Sequence, residues 1–229
     1  MKTILHYVQD VKKKKKMRGK LIVIEGTNNS GKETQTKLLV EKLNKDGIKC
    51  EKRRFPDYSS PTGKIISEDI LGKHQKSLFD EGINKIPPKV AALYYAADRL
   101  YNIDKINELL DQGINVILDR YVESNMAYQA SKLETVSERI NLILWLEQLE
   151  FTLLDLPRPD KVVFLYLPYE YRHDQNESNE HLKSAENVYQ LLAERYNFDV
   201  IYCVNKDKIK TIDEINEEIY QIVKDYLAN

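Results

Sequence analysis

The chain is poor in the features that mark secreted, membrane-spanning and nucleic-acid-binding proteins. Only two cysteines occur in 229 residues, Cys50 and Cys203, and each lies in a separate strand-like run. Reduced, packed thiols are typical of a reducing compartment, so the sequence predicts a cytoplasmic protein. The net charge of −1 provides no basic excess for a nucleic-acid partner. The apolar runs are too short to cross a bilayer, so we expect no membrane association.

Glycine and proline are also scarce, at 8 and 7 residues, and no stretch rich in them divides the chain. The length of 229 residues therefore predicts one main domain, large enough for a hydrophobic core. The N-terminus differs, because residues 12–16 are five consecutive lysines. Charge blocks of this kind are usually disordered and solvated. We expect a disordered extension over residues 1–18 and a folded domain over 19–229.

The most informative stretch is an apolar run that leads into a glycine-bounded loop and then a helical pattern. The run at 21–25 lacks polar alternation, which predicts a buried strand. Glycines in the loop permit backbone angles that aim N–H groups inward, and a helix N-terminus adds partial positive charge. A lysine at this point can reach the β- and γ-phosphates of a nucleotide. We therefore predict that ATP is bound by Gly26, Thr27, Asn28, Asn29, Ser30, Gly31, Lys32, Glu33 and Thr34.

The residue after the lysine departs from the usual phosphate-loop pattern. A Ser or Thr hydroxyl there normally holds Mg²⁺, whereas this chain has Glu33. A carboxylate is also a hard ligand for Mg²⁺, but it adds negative charge beside a triphosphate. Thr34 points about 100° away around the helix axis and is a poor substitute. Our hypothesis is that Glu33 serves the metal, directly or through a water.

Strand candidates alternate with helical patterns along the chain. The strand candidates cover residues 21–25, 48–54, 115–119, 161–167 and 199–204, and the helical patterns cover 31–45, 61–71, 87–112, 137–153, 180–196 and 212–227. The strands lack polar alternation, so each is expected to be covered on both faces. This alternation predicts an α/β fold with a five-stranded parallel sheet and helices on both faces. Ligands of such folds bind beyond the carboxyl ends of the strands.

Polar residues with suitable chemistry occur at those strand ends. Asp119 ends the third strand candidate and Arg120 follows it. An acidic residue there can hold the Mg²⁺ of a nucleotide, and an adjacent arginine can clamp a phosphate. The long helical pattern carries Tyr94, Tyr95 and Arg99, which can stack on a base and hydrogen-bond to it. We expect these groups to converge on the phosphate loop.

The order and spacing of these motifs resemble the thymidylate kinase family of P-loop nucleoside monophosphate kinases. The resemblance runs from about residue 19 to the end and rests on the segments at 24–27, 31–32, 34–35, 54–56, 97–99, 119–121, 124 and 127–129. It implies a three-layer P-loop fold with a five-stranded parallel sheet. It also implies a homodimer that transfers the γ-phosphoryl group of Mg-ATP to dTMP, giving dTDP and ADP.

The resemblance also implies a role for each matching residue. Lys32 and the loop amides would bind the ATP phosphates, and Thr34 would touch the α-phosphate. Asp119 matches an acid near the metal and the acceptor phosphate, and Arg120 matches an arginine that clamps phosphate. A lid over residues 170–181 would supply Arg172.

The acceptor site is implied by the same resemblance. Arg99 matches an arginine that reaches the thymine edge, and Tyr95 lies where the family places a ring over the base. The rest of the pocket would be lined by Phe55, Pro56, Ser124, Asn125, Tyr128 and Gln129.

The chain departs from the family pattern at several places. Asn28 stands where the family commonly has an acid that contacts the acceptor's 3′-hydroxyl. Asp57 and Tyr58 occupy positions where the family often has an arginine, and Asn29 replaces another. The lid offers only Arg172, and two histidines in it do not have the spacing of a metal site. Either Lys64, Arg54 or Arg172 compensates, or turnover is slow, or the acceptor is not dTMP.

Three other interpretations remain open. Since the departures lie in the acceptor site, the chain could phosphorylate another deoxynucleotide or a deoxynucleoside, or it could be a catalytically weak homologue. A GTPase-type switch would need Asn-Lys-x-Asp, but the fourth residue of the segment at 205–208 is lysine. The apolar pattern at 137–153 fits either a core helix or a dimer interface.

Overall fold

The computed structural model describes residues 17–73, 78–79, 83–172 and 179–228. The lysine run at 12–16 and residues 173–178 of the predicted lid lie outside these ranges. Arg18 contacts the folded domain, since its guanidinium pairs with Asp111 at 3.1 Å and donates to Asn107 at 2.7 Å. The extension and the lid stay predictions.

The core of the molecule is a parallel sheet with the order β2-β3-β1-β4-β5. Its strands are β1 Leu21–Gly26, β2 Cys50–Arg54, β3 Asn115–Asp119, β4 Lys161–Tyr166 and β5 Asp199–Tyr202. This confirms the predicted five-stranded parallel sheet, although three predicted strands are one or two residues too long. Every residue of β1 is buried, because β1 is the central strand. The chain crosses to opposite sides of β1 through β3 and β4, which leaves a crevice at its carboxyl end.

Helices cover both faces of the sheet, as predicted. They are α1 Lys32–Lys45, α2 Pro61–Ile65, α3 Pro88–Asp111, α4 Val122–Ala130, α5 Val136–Gln148, α6 Asn179–Tyr196 and α7 Ile212–Ala228. One hydrophobic cluster joins a sheet face to α3, α4, α5 and α6, and a second joins the opposite face to α1 and α7. Within the described ranges, no helix is both long enough and apolar enough to cross a bilayer.

Shorter elements complete the connections. Two π-helical turns, Ile66–Ile70 and Leu149–Leu153, extend α2 and α5. Two 3₁₀ turns, Ile83–Lys85 and Tyr169–Tyr171, precede α3 and follow β4. An antiparallel pair, Val204–Asn205 with Lys208–Ile209, follows β5.

The helical patterns read from the sequence did not include α4. Of its nine residues, eight are buried, and these include Glu123, Ser124, Asn125 and Gln129. A helix that is covered all round and carries polar side chains inward has no apolar stripe to reveal it. This hidden helix supplies much of the candidate site.

Candidate active site

The loop between β1 and α1 has the geometry of an anion-binding site. Gly31 adopts φ 81° and Asn29 φ 59°, so the backbone turns sharply before the helix. Gly26 must lack a side chain, because a Cβ there would lie 2.5 Å from Ser30 Oγ and 2.9 Å from the Leu165 carbonyl oxygen. Among the described residues, no side chain caps α1, which leaves its first-turn N–H groups available to a phosphate.

Lys32 lies buried beneath this loop, with 6% of its surface exposed. Its Nζ donates to the Thr27 carbonyl oxygen at 2.6 Å and to Ser30 Oγ at 3.5 Å. Burial, and then the nearby Arg120 guanidinium, lower the Lys32 pKa well below its ordinary value. A bound phosphate would supply the negative charge that favours the ammonium form.

Glu25 joins the loop strand to the start of α4. Its Oε1 accepts the N–H groups of Tyr121 and Ser124 at 2.9 and 3.0 Å. Its Oε2 accepts the hydroxyls of Ser124 and Tyr189 at 2.7 and 2.9 Å. A buried carboxylate at a helix N-terminus is favoured by the N–H groups and by the helix dipole. Glu25 therefore holds α4 against β1. Glu25 lies in the segment at 24–27 that carries the resemblance, but the sequence reasoning assigned it no role.

Arg120 lies between the loop and α4, where its backbone adopts φ 68°. Its Nη2 donates to Asn28 Oδ1 at 3.0 Å, and its Nη1 donates to Ser124 Oγ at 3.3 Å. The Tyr128 hydroxyl donates to the same Asn28 oxygen at 2.5 Å. Asp119 is buried at the end of β3, in register with Ile24 of β1. The predicted phosphate-binding and acceptor residues therefore meet at one edge of the sheet.

A cavity of about 190 Å³ adjoins this meeting point. All the predicted acceptor residues line it, namely Phe55, Pro56, Tyr95, Arg99, Ser124, Asn125, Tyr128 and Gln129. Lys132 and His181 also line it, and the sequence reasoning missed both. Burial lowers the pKa of Lys132 to about 8, and burial together with Lys132 lowers that of His181. Their place in the pocket depends on how α4 and α6 pack, which no local pattern reveals.

The end of this cavity that is lined by Arg99 and Asn125 contains a buried polar cluster. Arg99 donates from Nε and Nη2 to the two carboxylate oxygens of Glu150. Asn125 Nδ2 donates to Glu150 Oε1 at 3.0 Å and to the Ala92 carbonyl oxygen at 3.2 Å. Two buried acceptors, Asn125 Oδ1 and Gln129 Oε1, have no hydrogen-bond partner in the described part of the chain. Leaving such an acceptor unpaired costs about 1–3 kcal/mol, which a ligand N–H group would remove.

Two other predicted residues are engaged by neighbouring side chains. The Glu33 carboxylate lies 3.5 Å from Arg54 Nη1 and 3.9 Å from Lys52 Nζ, and its side chain is 67% exposed. Arg172 is buried and pairs with Glu186 on α6. The metal role of Glu33 and the catalytic role of Arg172 stay predictions.

Comparison with known proteins identifies the family. A family model described as thymidylate kinase matches residues 24–225. The thymidylate kinase of Plasmodium falciparum (isolate 3D7) is 30% identical to this chain over 210 residues, which cover 91% of each protein. This chain belongs to the thymidylate kinase family. The thymidylate kinase of Schizosaccharomyces pombe is 31% identical over 216 residues, covering 91% of this chain and 93% of that one.

The fold of a solved thymidylate kinase is also similar. The enzyme from Candida albicans matches with a TM-score of 0.69 and 27% sequence identity, covering 91% of this chain and 92% of that chain. The match agrees with the predicted P-loop kinase fold.

Glu123 is a buried acid on α4, the helix that also carries Ser124 and Gln129 of the thymidylate kinase motifs. It is 5% exposed, and its Oε2 has no partner among the described side chains. Burial, and then the Glu25 carboxylate, raise the pKa of Glu123 from 4.5 to about 8. The unfolded chain loses this proton near pH 4.5, whereas the folded chain keeps it to about pH 8. Folding stability therefore falls as pH rises through this window.

We expect Glu123→Gln to remove this loss, because glutamine is neutral at every pH and similar in shape. Thermal unfolding of both proteins at pH 5 and pH 8 measures the effect. The difference in melting temperature between the variant and wild type should be several degrees larger at pH 8 than at pH 5. A change of 1 kcal/mol in stability corresponds to about 2–4 °C in melting temperature for a chain of this size. The exposed Glu134→Gln is the matched control and should show no such difference. Equal gains at both pH values for Glu123→Gln would contradict the prediction.

Proposed function

We propose that this protein phosphorylates dTMP, using the γ-phosphoryl group of ATP and releasing dTDP and ADP. The choice of dTMP as the acceptor rests on two groups, Arg99 and Asn125, at the end of the cavity that would receive the base. This end is called the base end below. Arg99 offers an N–H donor, and Asn125 Oδ1 is a buried acceptor without a partner in the described chain. Thymine presents an acceptor, O4, beside a donor, N3–H. Cytosine presents the reverse, an amino donor beside an acceptor nitrogen.

The residues around the loop between β1 and α1 support the transfer of a phosphoryl group between two nucleotides. Loop amides and Lys32 are placed to hold the ATP phosphates, and Arg120 lies between that loop and the acceptor cavity. Phosphoryl transfer needs alignment and positive charge more than covalent help. Arg54 also lines the cavity and adds charge where the segment at 57–58 lacks an arginine.

We propose Mg²⁺ as the metal, with Asp119 as its main protein ligand. In the described ranges, no three His, Cys, Asp or Glu side chains come together as a metal site. The buried Asp119 carboxylate supplies a hard oxygen ligand. Mg²⁺ takes one or two such ligands and completes its shell with phosphate oxygens and waters. When bound, Mg²⁺ neutralises charge on the phosphates.

The proposed function is tested by ADP release against a panel of dTMP, dUMP, dCMP, dAMP, dGMP and thymidine. We expect dTMP to give the highest kcat/KM. Among the five nucleotides only its base both matches the donor and acceptor pair and adds a methyl group, and thymidine lacks the 5′-phosphate that accepts the transferred group. Lys32→Ala should abolish turnover with an unchanged circular dichroism spectrum. If thymidine or dAMP reacts more than about tenfold better than dTMP, a barrier difference of about 1.4 kcal/mol, the acceptor assignment is wrong.

A Mg²⁺ titration separates the two predicted metal ligands. We expect Asp119→Asn to raise the Mg²⁺ concentration for half-maximal rate, because it removes a buried carboxylate at the sheet edge. Glu33→Ala should shift it less, since the Glu33 carboxylate is exposed and faces Arg54 and Lys52. A larger shift for Glu33→Ala would instead assign the metal to Glu33.

We also propose that the protein is a homodimer that acts in the cytoplasm. An apolar stripe on α3, formed by Val90, Leu93, Tyr94, Leu100 and Tyr101, is 38–57% exposed. Its spacing of three, four and seven residues places these side chains on one face of the helix, which suits a second copy of the same helix. The pattern at 137–153 belongs mainly to the core, since Leu142, Ile143 and Leu146 are buried there.

The cytoplasmic location is supported by the cysteines. Cys50 and Cys203 are free and buried, and burial raises the pKa of both thiols to about 11. Thiols with so high a pKa react slowly. Free thiols without disulfides are typical of a reducing compartment.

Sedimentation velocity tests the dimer. We expect Leu93→Asp to convert a dimer to a monomer, because it places a charge at the centre of the apolar stripe. Leu153→Asp changes an equally apolar side chain that is 69% exposed and lies off the stripe, so it should leave the mass unchanged. A monomeric wild-type protein, or an unaffected Leu93→Asp variant, would refute this interface.

A further inference from the structure

Glu150 is a fully buried carboxylate that no sequence motif singled out. It lies in the π-helical turn Leu149–Leu153 that follows α5, with 0% of its surface exposed. It does not line the acceptor cavity, but its oxygens accept three hydrogen bonds from two residues that do. Arg99 comes from α3 and Asn125 from α4, so one carboxylate connects two helices at the base end of the cavity.

The Glu150 carboxylate determines which part of Arg99 faces a ligand. Its Nε and Nη2 are taken by the two Glu150 oxygens, with 2.6 Å between Nη2 and Oε1. Nη1 is the donor group that Arg99 can offer to a base. Burial by itself would lower the Arg99 pKa, but the Glu150 carboxylate raises it above its ordinary value. Arg99 therefore remains a cationic donor in a buried site.

The same carboxylate determines which way the Asn125 amide points. Nδ2 faces two acceptors, Glu150 Oε1 at 3.0 Å and the Ala92 carbonyl oxygen at 3.2 Å. Rotating the amide by 180° would place Oδ1 against both of these oxygens with no proton between them. It would also leave the Nδ2 donor facing the pocket instead. Asn125 is therefore held with its oxygen as the group that remains for a ligand.

We infer that Glu150 is a positioning residue that sets the base specificity of the acceptor site without touching the base. It holds Arg99 as a donor and Asn125 as an acceptor, side by side. This pattern pairs with O4 and N3–H of thymine and opposes the amino group and N3 of cytosine at both positions. The inference rests on the proposed dTMP acceptor and adds the reason for its selection over a cytosine nucleotide.

The matched substrate for a test is 5-methyl-dCMP, which has the sugar, phosphate and methyl group of dTMP but the reversed hydrogen-bonding edge. The ratio of kcat/KM for dTMP over 5-methyl-dCMP is measured in wild type and in Glu150→Gln. Glutamine keeps the shape but brings an amide donor, so Asn125 is free to turn and present Nδ2 to cytosine. We expect the ratio to fall at least about tenfold, mainly through KM, with kcat changed only slightly.

Glu147→Gln is the matched control. It makes the same chemical change one turn earlier, at a residue that pairs with Arg158 and Tyr196 outside the acceptor cavity. We expect this variant to keep the wild-type ratio. Glu150→Asp provides a second probe that retains the charge, and its shorter side chain should lower the ratio by a smaller factor, even if Glu150→Gln folds poorly.

The outcomes separate this inference from the proposed function. A wild-type protein that does not prefer dTMP over 5-methyl-dCMP overturns the acceptor assignment and this inference with it. A wild-type preference that folded Glu150 variants retain, with both substrates losing kcat/KM equally, overturns only the role of Glu150 and makes it a purely structural residue.

Discussion

The arrangement of the site depends on the carboxylate of Glu25. A buried carboxylate is tolerated only when hydrogen bonds replace its water, and Glu25 receives four, two from backbone N–H groups and two from hydroxyls. Because Glu25 ends the strand that leads into the phosphate loop, these bonds tie that loop directly to α4. The loop and α4 are thus joined directly, and under the proposed function this would align the phosphate donor with the acceptor.

The sequence predicted the parts of the fold that are encoded locally. The apolar run at 21–24 indicated the central strand, and parallel strands place their ends at one edge of a sheet. Asp119 and Arg120 could therefore be assigned to the site without knowledge of the packing. The helix α4 could not, because its polar side chains point inward and its apolar period is lost.

The buried acids are the other part that sequence reasoning missed. Glu25 binds residues 96 and 99 positions away, and Glu150 binds Arg99 across 51 positions. A glutamate in a strand or a short helical turn looks like any surface residue until its distant partners are known. Such contacts are set by the tertiary packing, and the chemistry of the site depends on them.

Two departures from the family pattern change the charge near the loop, in opposite directions. Asn28 accepts hydrogen bonds from Arg120 and Tyr128, yet it carries no charge. An aspartate there would partly neutralise Arg120, whereas asparagine positions the guanidinium and leaves its charge for phosphate. The exposed Glu33 carboxylate meets Arg54 and Lys52, so its negative charge is compensated by residues of β2. Arg120 therefore keeps its charge, whereas Arg54 shares its charge with Glu33.

The π-helical turn that carries Glu150 also makes the position of this residue sensitive to the insertion or deletion of a single residue in the turn. The turn is closed by a bond from the Leu154 N–H to the Leu149 carbonyl oxygen at 2.9 Å, five residues back instead of four. It is therefore equivalent to one extra residue inserted in an α-helix. Deleting one residue of the turn would restore ordinary helical bonding and leave the residues on either side in nearly the same orientation, but it would shift Glu150 relative to Arg99 and Asn125. An insertion or deletion in this turn would therefore disrupt the contacts of Glu150 as effectively as a substitution, although the helix itself would remain.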